Sequence, residues 1–558
     1  MRIIHIWTRV DLAYYKELWD SILALQKNDN PFIEYAWFDM WWDVLGRSEP
    51  VKVYAVEHND EIVAFFPFII RKKWGVHIVS NPGEGVANYT GFVAKPEWLA
   101  PALKFVLDEL QQSYQHIVFS YHGLLESQQS SKELEQYVIE KQKSYNVFRV
   151  VTPFLSFDRV DFPALHKNAQ KMHGGDQHEK KLQQLGELSY QTSNLDELGK
   201  MLKLFDRRWS KKVGISHFND GRKREFFERL AHVKDEAIQI EVDTLVFEHR
   251  WLAFAYGISC RNRYVVYALG HEPYFKQFGP EHFVYQEAMK RTYLEDYKLF
   301  DLSIGSEPYK LDWHSGIDFT RKVIVNGGTR RAQSLFHYIT MKERLKEKLK
   351  NNRYVGHLKR NVLGTWQRLW KQGKLTDWVQ YVKEVVGQVF RYDQVDVYEL
   401  QVENFPDFRR KLVGTLFDKL PIQQVMKEES LAAVPYYYEG YTIYKEKYME
   451  TCQIAFCLHE ETWEIAALQM TQPLQEDTIF IDHYAVKNFP MISAFLRNNY
   501  AQKSQLTTLQ FWQWKKKRVL RDIGFQRIAR VKQLKCLRYE RKFSTIQTLD
   551  GGKQHSYN

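Results

Sequence analysis

The chain has 558 residues, 44% of them hydrophobic and 15% aromatic, which excludes a disordered protein and allows roughly three or four packed domains. Its four cysteines exclude a disulfide scaffold and fit a reducing cytoplasm. The net charge of +11 is concentrated in residues 331–391, where fourteen Lys or Arg stand against four Asp or Glu, so the remainder is close to neutral and a nucleic-acid role for the whole protein is disfavoured.

No secretory leader is expected, because Arg9, Asp11 and Lys16 interrupt the apolar patch at residues 1–7. The longest apolar runs, such as residues 64–70, have the length of a strand rather than of a membrane span. The first predicted unit is a hairpin over 51–70 that turns at His58-Asn59-Asp60-Glu61. A glycine-rich stretch follows at 80–92, read first as turns and second as a loop lining a substrate groove. An apolar strand is expected at 116–121. Residues 165–185 contain His173, Gly174, Gly175 and His178, and a loop before a helix is preferred there to a metal site.

A second hairpin is predicted over 238–259, turning at Glu248-His249-Arg250. Residues 264–269 form a β-branched and aromatic strand. Gly279 and Pro280 then open a helix whose apolar stripe includes Phe283, Val284, Ala288 and Met289. Proline suits the first helical position because its missing N–H has no partner there. A glycine turn at a helix start can also leave amides and the positive end of the dipole facing a phosphate. A short strand at 299–304 leads into Gly305, Glu307, Tyr309 and Lys310. Residues 331–391 are expected to be a basic helical linker with Trp366, Trp370 and Trp378. A third hairpin is predicted over 452–470, turning at His459-Glu460-Glu461, with a strand at 506–512 and a Gly524-Phe525 pair beyond it. Cys452, Cys457 and His459 match no standard zinc spacing and are read as core residues of a strand.

The order strand, glycine turn, helix, strand and Gly-x-Glu-x-Tyr-Lys resembles the core of the Gcn5-related N-acetyltransferase (GNAT) superfamily. The nearest resemblance is to its BioF2-like, CelD-type branch, related to Fem-type double-GNAT transferases. An aromatic entry at Asn30-Pro31-Phe32 and at residues 37–42 adds to this, and the resemblance covers roughly residues 25–325. The chain departs from that branch at 165–185, where lysines and histidines stand in place of an arginine-rich helix start. The third copy has Lys487-Asn488-Phe489-Pro490 where the glycine loop would be. The resemblance implies an α/β (α+β) fold of tandem GNAT-like domains, with mixed, mostly antiparallel sheets flanked by helices. It divides the chain into a degenerate half at 1–160, a second half at 161–330 with the acyl-CoA site, the basic linker at 331–394, and a degenerate C-terminal domain at 395–558.

The same resemblance implies an acyl-CoA-dependent N-acyltransferase acting on an amine, with acetyl-CoA or another acyl-CoA as co-substrate and no metal. The acceptor would be a small molecule or saccharide, such as an amino sugar of exopolysaccharide or envelope synthesis. Gln277, Gly279, Glu281 and His282 are the cofactor candidates. Tyr309 is the candidate acid for the leaving thiolate; Glu307, Asp301 and His271 are candidate bases, and Lys310 a candidate acceptor-binding residue. A packed aromatic for Tyr309 and a surface lysine for Lys310 are the plain alternatives. The alternative functions are a Fem-type transferase using aminoacyl-tRNA and a non-catalytic GNAT-fold module of a polysaccharide synthase. A cytoplasmic location is expected, with residues 331–391 either touching a membrane or synthase or forming a solvated bridge.

Overall fold

The computed structural model describes residues 1–172, 175–192, 195–213, 220–351, 390–401, 417–427, 431–447, 454–465, 470–476, 478–482, 489–500, 503–510, 513–536 and 539–546. In chain order the first part carries β1 (Arg2–Ile6), β2 (Val51–His58), β3 (Glu61–Lys73), β4 (Val76–Ser80), β5 (Val93–Ala94), β6 (Ile117–Leu125) and β7 (Tyr145–Ser156). The second part carries β8 (Leu188–Thr192), β9 (Ile238–Phe247), β10 (Arg250–Cys260), β11 (Arg263–His271), β12 (Leu299–Asp301) and β13 (Gly316–Asn326). All thirteen belong to one sheet, ordered β1-β2-β3-β4-β6-β13-β7-β12-β11-β10-β9-β8, with β5 paired to β3.

The two predicted hairpins form as expected, and by the same means. His58 pairs with Glu61, leaving Asn59 and Asp60 as the loop, both at positive φ. Phe247 pairs with Arg250, leaving Glu248 and His249, again both at positive φ. Such two-residue turns match the right-handed twist of the strands they join. A second tight turn then adds β4 at Trp74-Gly75 and β11 at Arg261-Asn262. Each three-stranded meander is followed by a helix, Leu99–Ser113 or Pro280–Leu294, and by a strand parallel to the last of the meander. These parallel pairs are β4 with β6 and β11 with β12.

The halves are stitched together by exchanged strands. β13, the last strand of the second half, runs between β6 and β7, and β7 lies between β13 and β12. Side chains cross the seam as well: Trp37 on helix Tyr35–Val44 meets Phe226 of helix Gly221–Ala231 edge-on at 5.6 Å. Both are almost wholly buried. A large apolar side chain removed from water in this way contributes about 1.5–3 kcal/mol.

A loop before a helix is expected at residues 165–185, and helix Gly175–Leu185 is there, preceded by a further helix over Phe162–Met172. On the second helix Leu182 is buried in a cluster shared by the second half and the C-terminal part, beside Phe247, Phe278 and Val395. His178 lies on the second of these helices, its Nδ1 3.2 Å from the Tyr438 hydroxyl, and His173 and Gly174 lie outside the described residues. The strand expected at 299–304 stops at Asp301.

The C-terminal part forms an eight-stranded sheet of β14 (Phe390–Leu400), β15 (Phe417–Lys419), β16 (Thr442–Glu446), β17 (Ile454–His459), β20 (Thr478–Asp482), β21 (Ser504–Gln510), β22 (Gln526–Cys536) and β23 (Tyr539–Ile546). β18 (Thr462–Ile465) and β19 (Met470–Pro473) pair only with each other among the described strands. The third predicted hairpin is therefore corrected. The strands flanking His459-Glu460-Glu461 do not pair, because β16 and β20 already occupy the two edges of β17. The repeat itself survives one strand earlier: β16, β17 and β20 stand where β2, β3 and β4 do, and β20 runs parallel to β21. Cys457 is buried in β17, and Cys452 lies outside the described residues. Residues 352–389, including Trp366, Trp370 and Trp378, also lie outside them. The start of the basic segment expected to be helical forms one helix, Arg330–Asn351.

Candidate active site

β11 and β12 stay paired only from Arg263↔Leu299 to Val265↔Asp301. β11 then runs on to His271 while the chain after Asp301 turns away, so a cleft opens between them. At its edge β11 carries a bulge. Gly257 of β10 pairs with Val266 and Tyr256 with Ala268, leaving Tyr267 without a partner in that ladder. Gly257 is required there, since any Cβ would collide with the Tyr264 ring. A bulge re-aims the strand and takes one residue's backbone groups out of the ladder.

The cleft widens into a cavity of ≈ 610 Å³. Val266 to Leu269 of β11 form one wall, and Leu302 to Ile304 with Glu307, Tyr309 and Lys310 form the opposite one. Tyr285 of helix Pro280–Leu294, Phe205, Phe227 and Lys223 line the remainder, and Gly85 to Asn88 of the first half close one side. The glycine-rich stretch at 80–92 thus lines a groove, its second reading.

The turn after β12 is held tightly. Ser303 has φ +66 although it is not glycine, and Gly305 has φ +123, where a Cβ would strike the Glu307 carboxylate. Strained backbone of this kind persists only where its surroundings over-determine it. The Ser303 N–H donates to Asp301 Oδ1 at 2.7 Å, and the Ser303 hydroxyl accepts from Asn88 Nδ2 at 2.7 Å. The Gly305 N–H donates to the Val151 carbonyl at 2.8 Å. Lys310 Nζ, largely buried, donates to the Ile304 carbonyl at 2.8 Å and lies 3.0 Å from Glu307 Oε2.

Three residues singled out from sequence, Glu307, Tyr309 and Lys310, therefore line the cavity together. The Lys310 ammonium is engaged by the turn, and its evident work is to fix Ile304. Asp301 lies beneath the wall, buried, accepting from the Tyr89 hydroxyl at 2.6 Å and facing Arg263 Nη1 at 3.5 Å. Burial pushes the Asp301 carboxyl up, against the pull of Arg263, the Tyr89 hydroxyl and the Ser303 N–H. That setting makes it an anchor rather than a base in contact with substrate. His271 lies 2.9 Å from Glu281 and does not line the cavity.

Gln277, Gly279, Glu281 and His282 gather at the start of helix Pro280–Leu294. Gly279 sits at φ +65 with Pro280 in the first helical position, as the sequence predicts. As an anion grip this helix start is sparse. Pro280 has no N–H, the Gly279 N–H is bonded to the Lys276 carbonyl at 3.1 Å, and the His282 N–H to the Gly279 carbonyl at 2.9 Å. Glu281 adds negative charge, and Gln277 Nε2 lies 3.4 Å from Glu439 of the C-terminal part. Cavity and helix start are linked by the His282 and Tyr309 rings, edge-on at 6.0 Å. The residues suit a thioester in the cavity better than a diphosphate at the helix.

The corresponding cleft in the first half is filled. Asn81 bridges to His122, accepting from its N–H at 2.9 Å and donating to its carbonyl at 2.7 Å, and the Thr90 N–H donates to the Gly123 carbonyl at 2.8 Å. Sequence reasoning missed Tyr267, Ser303, Asn88, Tyr89 and Tyr285. The stretch at 80–92, read second as a groove-lining loop, contained two of them, Asn88 and Tyr89, without singling either out. Among the described residues no group of His, Cys, Asp and Glu is arranged to hold a metal.

A mixed sheet that splays at a parallel pair, with a bulged strand on one side and a helix start at the end, is an acyltransferase-type fold. Residues 175–311 match the family model described as an acetyltransferase (GNAT) domain, which places this segment of the chain in the GNAT superfamily. No curated protein matches the sequence. Among solved structures, the chain is similar to FemX at 11% identity and TM-score 0.41, covering 57% of this chain and 97% of that one. It is also similar to the C-terminal domain of a putative lysylphosphatidylglycerol synthetase from Agrobacterium fabrum, at 11% identity and TM-score 0.37, covering 58% and 94%. A tandem GNAT protein from the clavulanic acid biosynthesis pathway is similar at 9% identity and TM-score 0.36, covering 59% and 99%. Likeness at this level says nothing about substrate.

Proposed function

We propose that the second half is an acyl-CoA-dependent N-acyltransferase whose acceptor is an amine, with an amino sugar as the preferred class. The observation that carries this reading is the cavity at the β11/β12 splay, which brings Tyr309, Glu307 and the Tyr267 bulge together inside the segment matched by the GNAT model. The acceptor nitrogen attacks the thioester carbonyl and forms the C–N bond. The Tyr267 N–H, freed from the β10 ladder, is the donor for the tetrahedral oxyanion. The intermediate collapses with loss of the C–S bond, and Tyr309 protonates the departing thiolate, since a phenol's usual pKa of about 10 lies near a thiol's. The amine's proton passes to Glu307, which is 54% exposed in its side chain and returns it to water, and water in turn reprotonates the Tyr309 phenolate.

The test is thiol release from acetyl-CoA with a panel of amino sugars, beside calorimetry with acetyl-CoA and free CoA. Release dependent on an amino sugar supports the reading; absence of both binding and release overturns it. The sparse amides at Gly279 to His282 favour a second reading, a Fem-type transfer from aminoacyl-tRNA, which predicts amine acylation from the charged tRNA and none from acetyl-CoA. A cytoplasmic location belongs to either proposal; no helix among the described residues is long and apolar enough to cross a membrane.

A further inference from the structure

In the first half the gap between β4 and β6 is bridged by Asn81 and Thr90, yet that half reaches into the site of the second at the turn after β12 and at the Tyr267 bulge. Asn88 holds the Ser303 hydroxyl at 2.7 Å, while Ser303 sits at φ +66. Tyr89 donates to Asp301 at 2.6 Å, and the same Asp301 oxygen accepts the Ser303 N–H. Strand β7 of the first half supplies the Val151 carbonyl for Gly305 and the Pro153 carbonyl for Leu302, at 2.8 and 3.2 Å. On the opposite wall, the bulged Tyr267 donates its hydroxyl to the Val86 carbonyl at 2.7 Å. Both walls of the cavity are therefore set by residues 86–89 and β7. A serine leaves the left-handed region when its anchor is removed, because L side chains are disfavoured there.

We propose that Asn88 and Tyr89 are positioning residues for acyl transfer, and that the first half acts as the mould in which the second half's substrate-facing turn is cast. This rests on the acyltransferase reading of the cavity. Neither side chain performs a chemical step; each fixes Leu302 to Gly305 opposite the Tyr267 bulge, the geometry on which a near-attack arrangement depends.

The test uses the full chain with acetyl-CoA as the probe. Asn88→Ala is expected to weaken acetyl-CoA binding about tenfold and to speed hydrogen exchange of peptides covering 299–311, with exchange elsewhere in the sheet unchanged. Adding Ser303→Gly to Asn88→Ala is expected to restore most of the affinity, because glycine adopts positive φ without an anchor. A merely structural role would lower the melting point with no such rescue. Tyr89→Phe, which keeps the ring and removes the bond to Asp301, gives the same pattern and serves if Asn88→Ala fails to fold. Wild-type affinity together with wild-type exchange at 299–311 in both variants overturns the proposal, as does loss of affinity that Ser303→Gly leaves unrepaired. Failure of the wild type to bind acetyl-CoA counts against the donor reading alone. The exchange measurement then decides: faster exchange confined to 299–311 upholds the mould, and unchanged exchange rejects it.

Discussion

Tyr309 is held on two sides, edge-on to Tyr285 at 5.7 Å and to His282 at 6.0 Å. A ring so placed is ready to act without reorganising. Tyr309→Phe preserves the packing and removes the proton, so turnover is expected to fall by roughly 10²-fold or more with acetyl-CoA affinity little changed. Steady-state kinetics at saturating acetyl-CoA check this, and an unaltered turnover number returns Tyr309 to the role of a packed aromatic. A second residue reports on the filled cleft of the first half. Burial pushes the His122 imidazole down to about 4, with the neighbouring Lys322 charge acting in the same direction and Glu84 opposing it. The fold thus prefers neutral His122. That preference contributes fully above the unfolded pKa of about 6.5 and is lost as pH falls towards 4, a change of the order of 3 kcal/mol. Urea unfolding at pH 7 and pH 4.5 is expected to show a smaller acid-induced loss of stability in His122→Gln than in the wild type.

At the scale of the element, the turn from β11 into helix Pro280–Leu294 depends on Gly279. Its Cβ would meet only His282, at 3.5 Å, so the requirement comes from φ +65 rather than from crowding. Gly279→Val forces a β-branched residue into the left-handed region at a cost of about 1–2 kcal/mol and shifts the helix start. The expected result is a folded protein with weaker acetyl-CoA binding, measured by calorimetry. Helix Arg330–Asn351 invites a different test. Its exposed Tyr338, Met341 and Leu345 follow one another at helical spacing, and Tyr338 meets the exposed Trp74 at 4.8 Å beneath Lys73. Apolar residues among lysines suit an anionic bilayer surface. Co-sedimentation with anionic vesicles, weakened by salt and by Trp74→Ala with Met341→Glu, is the expected outcome. No sedimentation at low salt leaves Tyr338, Met341 and Leu345 as a solvated face of a helix whose other face is buried at Ala332, Leu335 and Phe336.

At the scale of the whole molecule, the exchange of β7 and β13 makes the two halves one folding unit. Cutting near residue 160 strands β7 away from both β13 and β12, and it exposes the edge of β6. Residues 1–160 and 161–351 expressed separately are therefore expected to be insoluble or to lack a cooperative melting transition, while co-expression restores one complex on size exclusion. Two fragments that each melt cooperatively would contradict that picture. The C-terminal sheet is tied to the same body. Leu182, Phe278 and Val284 share a buried cluster with Val395, Ile422 and Val434, and Tyr438 meets Phe278 at 4.9 Å beside the candidate cofactor turn.

The sequence by itself determined what depends on neighbours along the chain. Alternating apolar runs and two-residue turns specify β2–β3 and β9–β10, and Gly279-Pro280 specifies where a helix begins, because φ and the missing amide are properties of those residues alone. Glu307, Tyr309 and Lys310 could be grouped because one short turn carries all three. What lay beyond reach was set by contacts distant in sequence. The third hairpin was misread because the identity of a strand's partner depends on which edges are already occupied, and β16 and β20 had taken both edges of β17. The positive φ of Ser303 has no local signal, since serine does not favour it and Asn88, 215 residues away, holds it there. Asp301 resembles a base in one dimension and is an anchor in three, because burial and the Tyr89 hydroxyl decide its chemistry. Only the tertiary structure joined the two halves into one site, since strand exchange is a choice between equivalent edges that no local pattern records.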